Sequence, residues 1–108
     1  MANKPLGEFE IVVVAGVLHL GRKAYGAAIR QEIEERADRS AAIGAIYTTL
    51  ARLEEKGLVT SRLGAATAER GGRAKRFFSI TAEGRRAFDD SVASLGGMLK
   101  GLRAWPAT

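Results

Sequence analysis

The segment AAIGAIYTTLARLEEKG, residues 41–57, decides how the rest of the chain is read. At about 100° per residue, Ile43, Ile46, Leu50 and Leu53 fall in one stripe, which must face a core. The opposite stripe is Ala41, Ala45, Thr48 and Arg52, with Gly44 and Thr49 at its margins. That face is small and hydroxylated, and it carries no charge before Arg52. A solvated helix face would carry several Glu and Lys residues instead. Small side chains let a helix approach another surface closely, and hydroxyls can hydrogen-bond to it. Ser40 is positioned to accept a bond from the free amides of this helix, and Gly57 is a C-terminal stop. The expected helix therefore spans residues 41–56. Tyr47 lies at the edge of the core stripe and has two compatible readings, a half-buried packing residue or a phosphate contact through its hydroxyl.

Working outward, residues 9–20 are dense in apolar side chains, including the β-branched run Ile11, Val12, Val13 and Val14. That run would suit a strand, but its length and lack of turn signals favour a helix buried on most sides. Residues 21–23 (GRK) break it. A second helix is expected over residues 24–36, with Ile29 and Ile33 on one face, and residues 38–40 form the turn into the third. Beyond Gly57, residues 58–63 and 74–80 alternate as two strands around a long polar loop. The loop ends in RGGRAKR, residues 70–76, with Arg70, Arg73, Lys75 and Arg76 and no acid. Gly71 and Gly72 allow a tight turn and a close backbone approach to a phosphate. Three helices, a strand, a basic wing, a strand and a helix give a mainly α fold with a two-stranded β wing, the order of a winged helix-turn-helix. The third helix would then lie in the major groove, with the wing on phosphates or in the minor groove.

The last helix is expected over residues 81–103, opening at Thr81. Within it Phe88, Val92, Leu95, Leu99 and Leu102 are spaced 4, 3, 4 and 3, a heptad seam interrupted by Gly96 and Gly97. The seam fits a second copy of the chain, and packing on the chain's own first helix is the alternative. The expected organisation is a DNA-binding domain over residues 6–80, a dimerisation helix over 81–103 and a tail over 104–108.

Composition narrows the function classes. The chain has 108 residues, 46% hydrophobic and 27% charged, which suits one folded domain rather than a disordered segment. A net charge of +5 favours an anionic partner. With no cysteine there are no disulfides and no thiolate nucleophiles or ligands. The longest strongly apolar run, residues 11–17, is far short of the ~20 residues that span a bilayer, so no membrane partner is expected. The N-terminal MANKPLG, followed by Glu8 and Glu10, resembles neither a signal nor a transit peptide, and a cytoplasmic location is expected. Catalysis lacks a constellation. His19, the one histidine, sits among apolar neighbours. The pairs Asp89–Asp90, Glu34–Glu35 and Glu54–Glu55 diverge by about 100° on their helices, so neither member can share a proton or metal with the other. No phosphate-loop or dinucleotide fingerprint is present. Neither a catalytic site, a metal nor a cofactor is expected. The rival to DNA binding is a winged helix used as a protein-interaction module.

Three stretches resemble the PadR family of bacterial transcriptional regulators: Tyr25–Gly26 at the second helix, GAIYTTLARLEEKGLV over residues 44–59, and RGGRAKRFFSITAEG over residues 70–84. The single C-terminal helix is similar to that of the short subfamily. Two departures stand out. Many members have a proline where this chain has Ile43, so the helix is free to begin earlier, and many carry a longer C-terminal domain. The resemblance implies a homodimeric repressor, joined through the C-terminal helix, on an inverted-repeat operator. It also implies DNA contacts from Tyr47, Thr48, Thr49, Arg52 and the wing. Combined with the outward face of the third helix, this gives Ala45, Thr48, Thr49 and Arg52 as base readers. The wing residues Arg70, Gly71, Gly72, Arg73, Lys75 and Arg76 would supply affinity and orientation. Some short members bind flat aromatic or cationic drugs between subunits, so the resemblance allows such a small-molecule effector. Phe88 and Trp105 are the only aromatics in the C-terminal segment that could meet it.

Overall fold

A computed structural model describes residues 4–64 and 74–102. Four α-helices and one hairpin follow in the order α1 (Glu8–Leu20), a 3-10 turn (Gly21–Lys23), α2 (Gly26–Ala37), α3 (Ile43–Glu55), β1 (Val59–Leu63), β2 (Arg76–Ile80) and α4 (Ala82–Leu99). The fold is a winged helix-turn-helix, mainly helical with a two-stranded antiparallel sheet.

The core is assembled from the stripes that periodicity predicts. Val13, Val14 and Val17 of α1 meet Ile29 and Ile33 of α2, and Ile46, Leu50 and Leu53 of α3 close over them. The β-branched run of α1 is helical because the helix is surrounded. Backbone bonds made within the helix leave its valines free to fill space on several sides. Its first turn is closed by the Gly7 amide donating to Glu10 Oε1 at 2.9 Å, and Lys56 at the end of α3 reaches the same carboxylate at 3.1 Å.

Three helix boundaries differ from the expectation, each for a local reason. α2 begins at Gly26 rather than residue 24, because the backbone of Ala24 and Tyr25 is engaged elsewhere. Tyr25 bridges Phe77, and the Phe78 amide donates to the Ala24 carbonyl at 2.8 Å, adding a two-residue edge to the hairpin. α3 begins at Ile43 rather than residue 41. Ala42 occupies the cap position with no side-chain bond, so Ser40 does not cap this helix. α4 stops at Leu99, where Lys100 turns extended and Gly101 takes a φ of 86°. Leu102 therefore lies beyond the helix that was expected to carry it.

The end of α3 sets the course of the hairpin. Gly57 adopts φ 77°, its amide returning to Glu54 at 3.0 Å and the Leu58 amide to Leu53 at 2.9 Å. This pair of bonds is the left-handed glycine stop that satisfies the last helix carbonyls. The chain then enters β1, whose Val59, Ser61 and Leu63 stand opposite Ile80, Phe78 and Arg76 of β2. Thr81 joins the two ends: its hydroxyl donates to the Gly57 carbonyl at 2.8 Å and accepts from the Gly84 amide at 3.0 Å, capping α4. The first half of α4 belongs to the core through Gly84, Ala87 and Ser91, and Ser91 Oγ accepts from the Leu6 amide at 2.9 Å.

Two outcomes are expected from this packing. A methyl group at Gly84 would collide with the Leu58 carbonyl oxygen and crowd Ile80. Gly84→Ala should therefore destabilise the fold by about 1–3 kcal/mol or more in urea denaturation. Burial raises the pKa of Glu10, but the bonds from the Gly7 amide and Lys56 outweigh it and hold the carboxyl below its ordinary value. Its stabilising contribution is present at neutral pH and is lost as pH falls through that lowered pKa. Glu10→Gln should remove this part of the acid sensitivity of the urea midpoint.

Candidate nucleic-acid interface

The outward face of α3 is open along its length. Gly44, Ala45, Thr48 and Arg52 are all exposed, while Ile46, Leu50 and Leu53 are fully covered. Thr49 departs from the expectation. Its side chain is buried, with only 8% of the residue exposed. At 100° steps it falls 40° from Leu53 and 40° from Ala45, midway between the two stripes, and packing takes it to the core side.

Tyr47 takes the half-buried packing position. It is 46% exposed, yet its ring is tilted against Phe78 at a centroid distance of 6.4 Å. The rim of the same ring lies over Gly26, where any Cβ would strike the phenol. Gly26 is thus needed for Tyr47 to seat, and the hydroxyl is held at the first turn of α2.

Of the expected wing residues, Arg70, Gly71, Gly72 and Arg73 lie outside the described residues, as does Trp105. Lys75 and Arg76 are exposed at the base of the hairpin. The Lys75 ammonium sits 4.2 Å from the centre of the Tyr25 ring. Arg76 donates to Ser61 Oγ at 3.1 Å, and Ser61 in turn donates to Glu54 on α3 at 2.9 Å. Arg76 is thereby tied to the α3 side of the sheet. Sequence reasoning missed Tyr25 and Arg62, which flank Phe77. Tyr25 lies far from the wing in sequence, and strand pairing sets both residues beside Phe77.

On α4, Val92, Leu95 and Met98 are exposed, while Phe88 packs partly on the core and Leu99 is half-buried. Leu102, beyond the helix, is 55% exposed. At 100° steps Leu95 falls 40° from Ser91 and 20° from Gly84, so the heptad row adjoins the core-facing side of Gly84, Ala87 and Ser91, yet Val92 and Leu95 are exposed. Among the described residues no cluster of His, Asp or Glu suited to a metal ion is present, and no helix is long and apolar enough to cross a membrane.

Comparison with known proteins agrees with this geometry. The Transcriptional regulator PadR-like family matches residues 16–90. A PadR family transcription regulator from Clostridium difficile R20291 superposes with a TM-score of 0.69 at 27% identity, over 87% of this chain and 93% of that one. A PadR family transcriptional regulator from Eggerthella lenta gives 0.71 at 21% identity, over 86% and 76%. F93 from STIV, a winged-helix DNA-binding protein, gives 0.69 at 16% identity, over 91% and 98%. No curated protein sequence matches the chain. With the family match covering most of its length and the fold shared with these regulators, the chain belongs to the PadR-like family of transcriptional regulators.

Proposed function

We propose that the chain is a homodimeric, sequence-specific DNA-binding repressor. One α3 of each protomer would enter the major groove of an inverted-repeat operator with half-sites about one helical turn apart. The observation that carries this reading is the exposed, uncharged outer face of α3, which ends in Arg52. Gly44 and Ala45 are small enough for the helix to sit deep in the groove, and Thr48 and Arg52 supply the donors that distinguish bases. Thr49 is left out of this set because it is buried. Tyr47, Lys75 and Arg76, with Arg70, Gly71, Gly72 and Arg73 of the wing, would bind phosphates and set the register.

The second protomer would be held through α4. Val92, Leu95 and Leu99 continue the row begun at Phe88, and nothing among the described residues of the chain's own fold covers Val92 or Leu95. Residues 6–80 would then act as the DNA-binding unit, with the outer half of α4 as the dimerisation element. A flat aromatic or cationic effector between protomers would meet Phe88. Repression is the role that the PadR resemblance implies, and a cytoplasmic location goes with it.

Footprinting on the DNA upstream of the chain's own gene tests site and symmetry together. Arg52→Ala should lose about 1–3 kcal/mol of discrimination between operator and random sequence. Arg76→Ala should weaken both alike and lower the salt slope by about one unit. A chain that protects no duplex would favour the protein-interaction reading. Leu95→Asp puts a charge into the seam and should give monomers in sedimentation velocity, whereas persistent dimers would place the contact elsewhere.

A further inference from the structure

The outer face of the small sheet carries a cluster that the α3 interface does not use. Directly opposed residues of an antiparallel pair share a side. Thr60 with Ser79 and Arg62 with Phe77 therefore point away from the face built by Val59, Phe78 and Ile80. On this outer side, cations and rings form one row. The Lys75 ammonium lies on the Tyr25 ring, Tyr25 meets Phe77 edge-on at 5.8 Å, and the Arg62 guanidinium lies 4.9 Å from the centre of Phe77. Arg62 then shares an open cleft with Arg22, Gly21, Phe78 and Ser79.

Arg36, Arg39, Lys56 and Arg85 are each paired with a carboxylate, whereas Arg22 and Arg62, like Arg30, Arg52 and Arg86 on the helices, have no such partner among the described residues. Two guanidinium groups lining one cleft repel each other, and an anion between them turns that repulsion into attraction. The contact with the Phe77 ring holds the Arg62 guanidinium beside the cleft. Residues 21–25 and 58–80 hold seven of the 17 lysines and arginines and one of the 12 acids. The remainder of the chain has ten cations against eleven acids, so the whole positive excess belongs to this end.

We propose that Arg22, Arg62 and Ser79 form a second phosphate-binding site, which grips the backbone of duplex DNA alongside the stretch read by α3. The inference rests on the DNA-binding reading and extends its surface. Continuity points to DNA rather than to an acidic protein. The Tyr47 ring lies on Gly26, the adjacent Tyr25 meets Phe77, and Phe77 carries Arg62, so the row leads from the margin of α3 to the cleft without a break. The row offers cations, hydroxyls and rings, and the cleft at its end is lined by two arginines and a serine, which suits a phosphate.

The test compares wild type, the double variant Arg22→Ala/Arg62→Ala, and Arg85→Ala/Arg86→Ala as a charge-matched control on α4. Each is titrated across a salt series with the upstream duplex and with a random-sequence duplex of equal length. Loss of two phosphate contacts should lower the salt slope by about two units and weaken both duplexes roughly tenfold near physiological salt, leaving their ratio unchanged. Binding indistinguishable from the control overturns the second site but leaves the α3 reading intact. A wild type that binds neither duplex overturns the DNA-binding reading itself. In a separate arm, inorganic pyrophosphate is added at constant ionic strength while the Gly21 and Ser79 amide resonances are followed. Saturable shifts there, with DNA slopes equal to the control, assign the cleft to a free anion and overturn the DNA assignment.

Discussion

Two adjacent backbone carbonyls, those of Gly57 and Leu58, hold the architecture together. The first accepts the Thr81 hydroxyl and the second the Thr81 amide at 3.1 Å, so the end of α3 and the start of α4 share one residue. The left-handed turn at Gly57 makes this possible, because only there does the chain reverse tightly enough to present both oxygens to β2. Gly84 has no side chain because the Leu58 oxygen occupies the space. The direction in which β1 leaves α3, the register of the hairpin and the heading of α4 all depend on this one junction. Leu53, Leu58 and Val59 are buried beside it, while the Thr81 hydroxyl bond itself stays exposed.

Charge plays a different part from packing. The ion pairs on the helices are exposed, and such pairs contribute little to stability. They do neutralise the helical body locally, which leaves the sheet end and the α3 margin as the basic part of the molecule. The positive excess therefore has a direction. The core and the basic surface are separable properties of the sequence.

The fold was largely legible because its core residues obey simple periods. Ile46, Leu50 and Leu53 on α3, the valines of α1, and Thr81 at the head of α4 all occupy the roles the sequence implies. The failures are local and share a cause. Ser40 has the right chemistry for a cap, Thr49 for a DNA contact and Leu102 for a heptad, yet in each case backbone geometry overrides residue type. Ala24 could not be helical once its carbonyl was committed to β2, and no local pattern announces a contact more than fifty residues away. For the interface, the open face of α3 was readable from the sequence. The Tyr25–Phe77–Arg62 row was not, since strand pairing rather than sequence proximity creates it.

The way α4 is attached has a mechanical consequence. Its first half is embedded in the core through Ala87 and Ser91, while its second half projects with Val92, Leu95 and Met98 uncovered. A helix of 18 residues is about 27 Å long, and one clamped at a single end acts as a lever arm. Anything gripping the free half inherits its orientation from the Thr81 clamp. Substitutions along the arm change the strength of the grip but not its direction. A single residue inserted between the clamp and the row would swing the grip by about 100° and advance it by about 1.5 Å. The length of α4 between Thr81 and Leu95 is therefore a calibrated dimension of the molecule, less tolerant of insertion than of mutation.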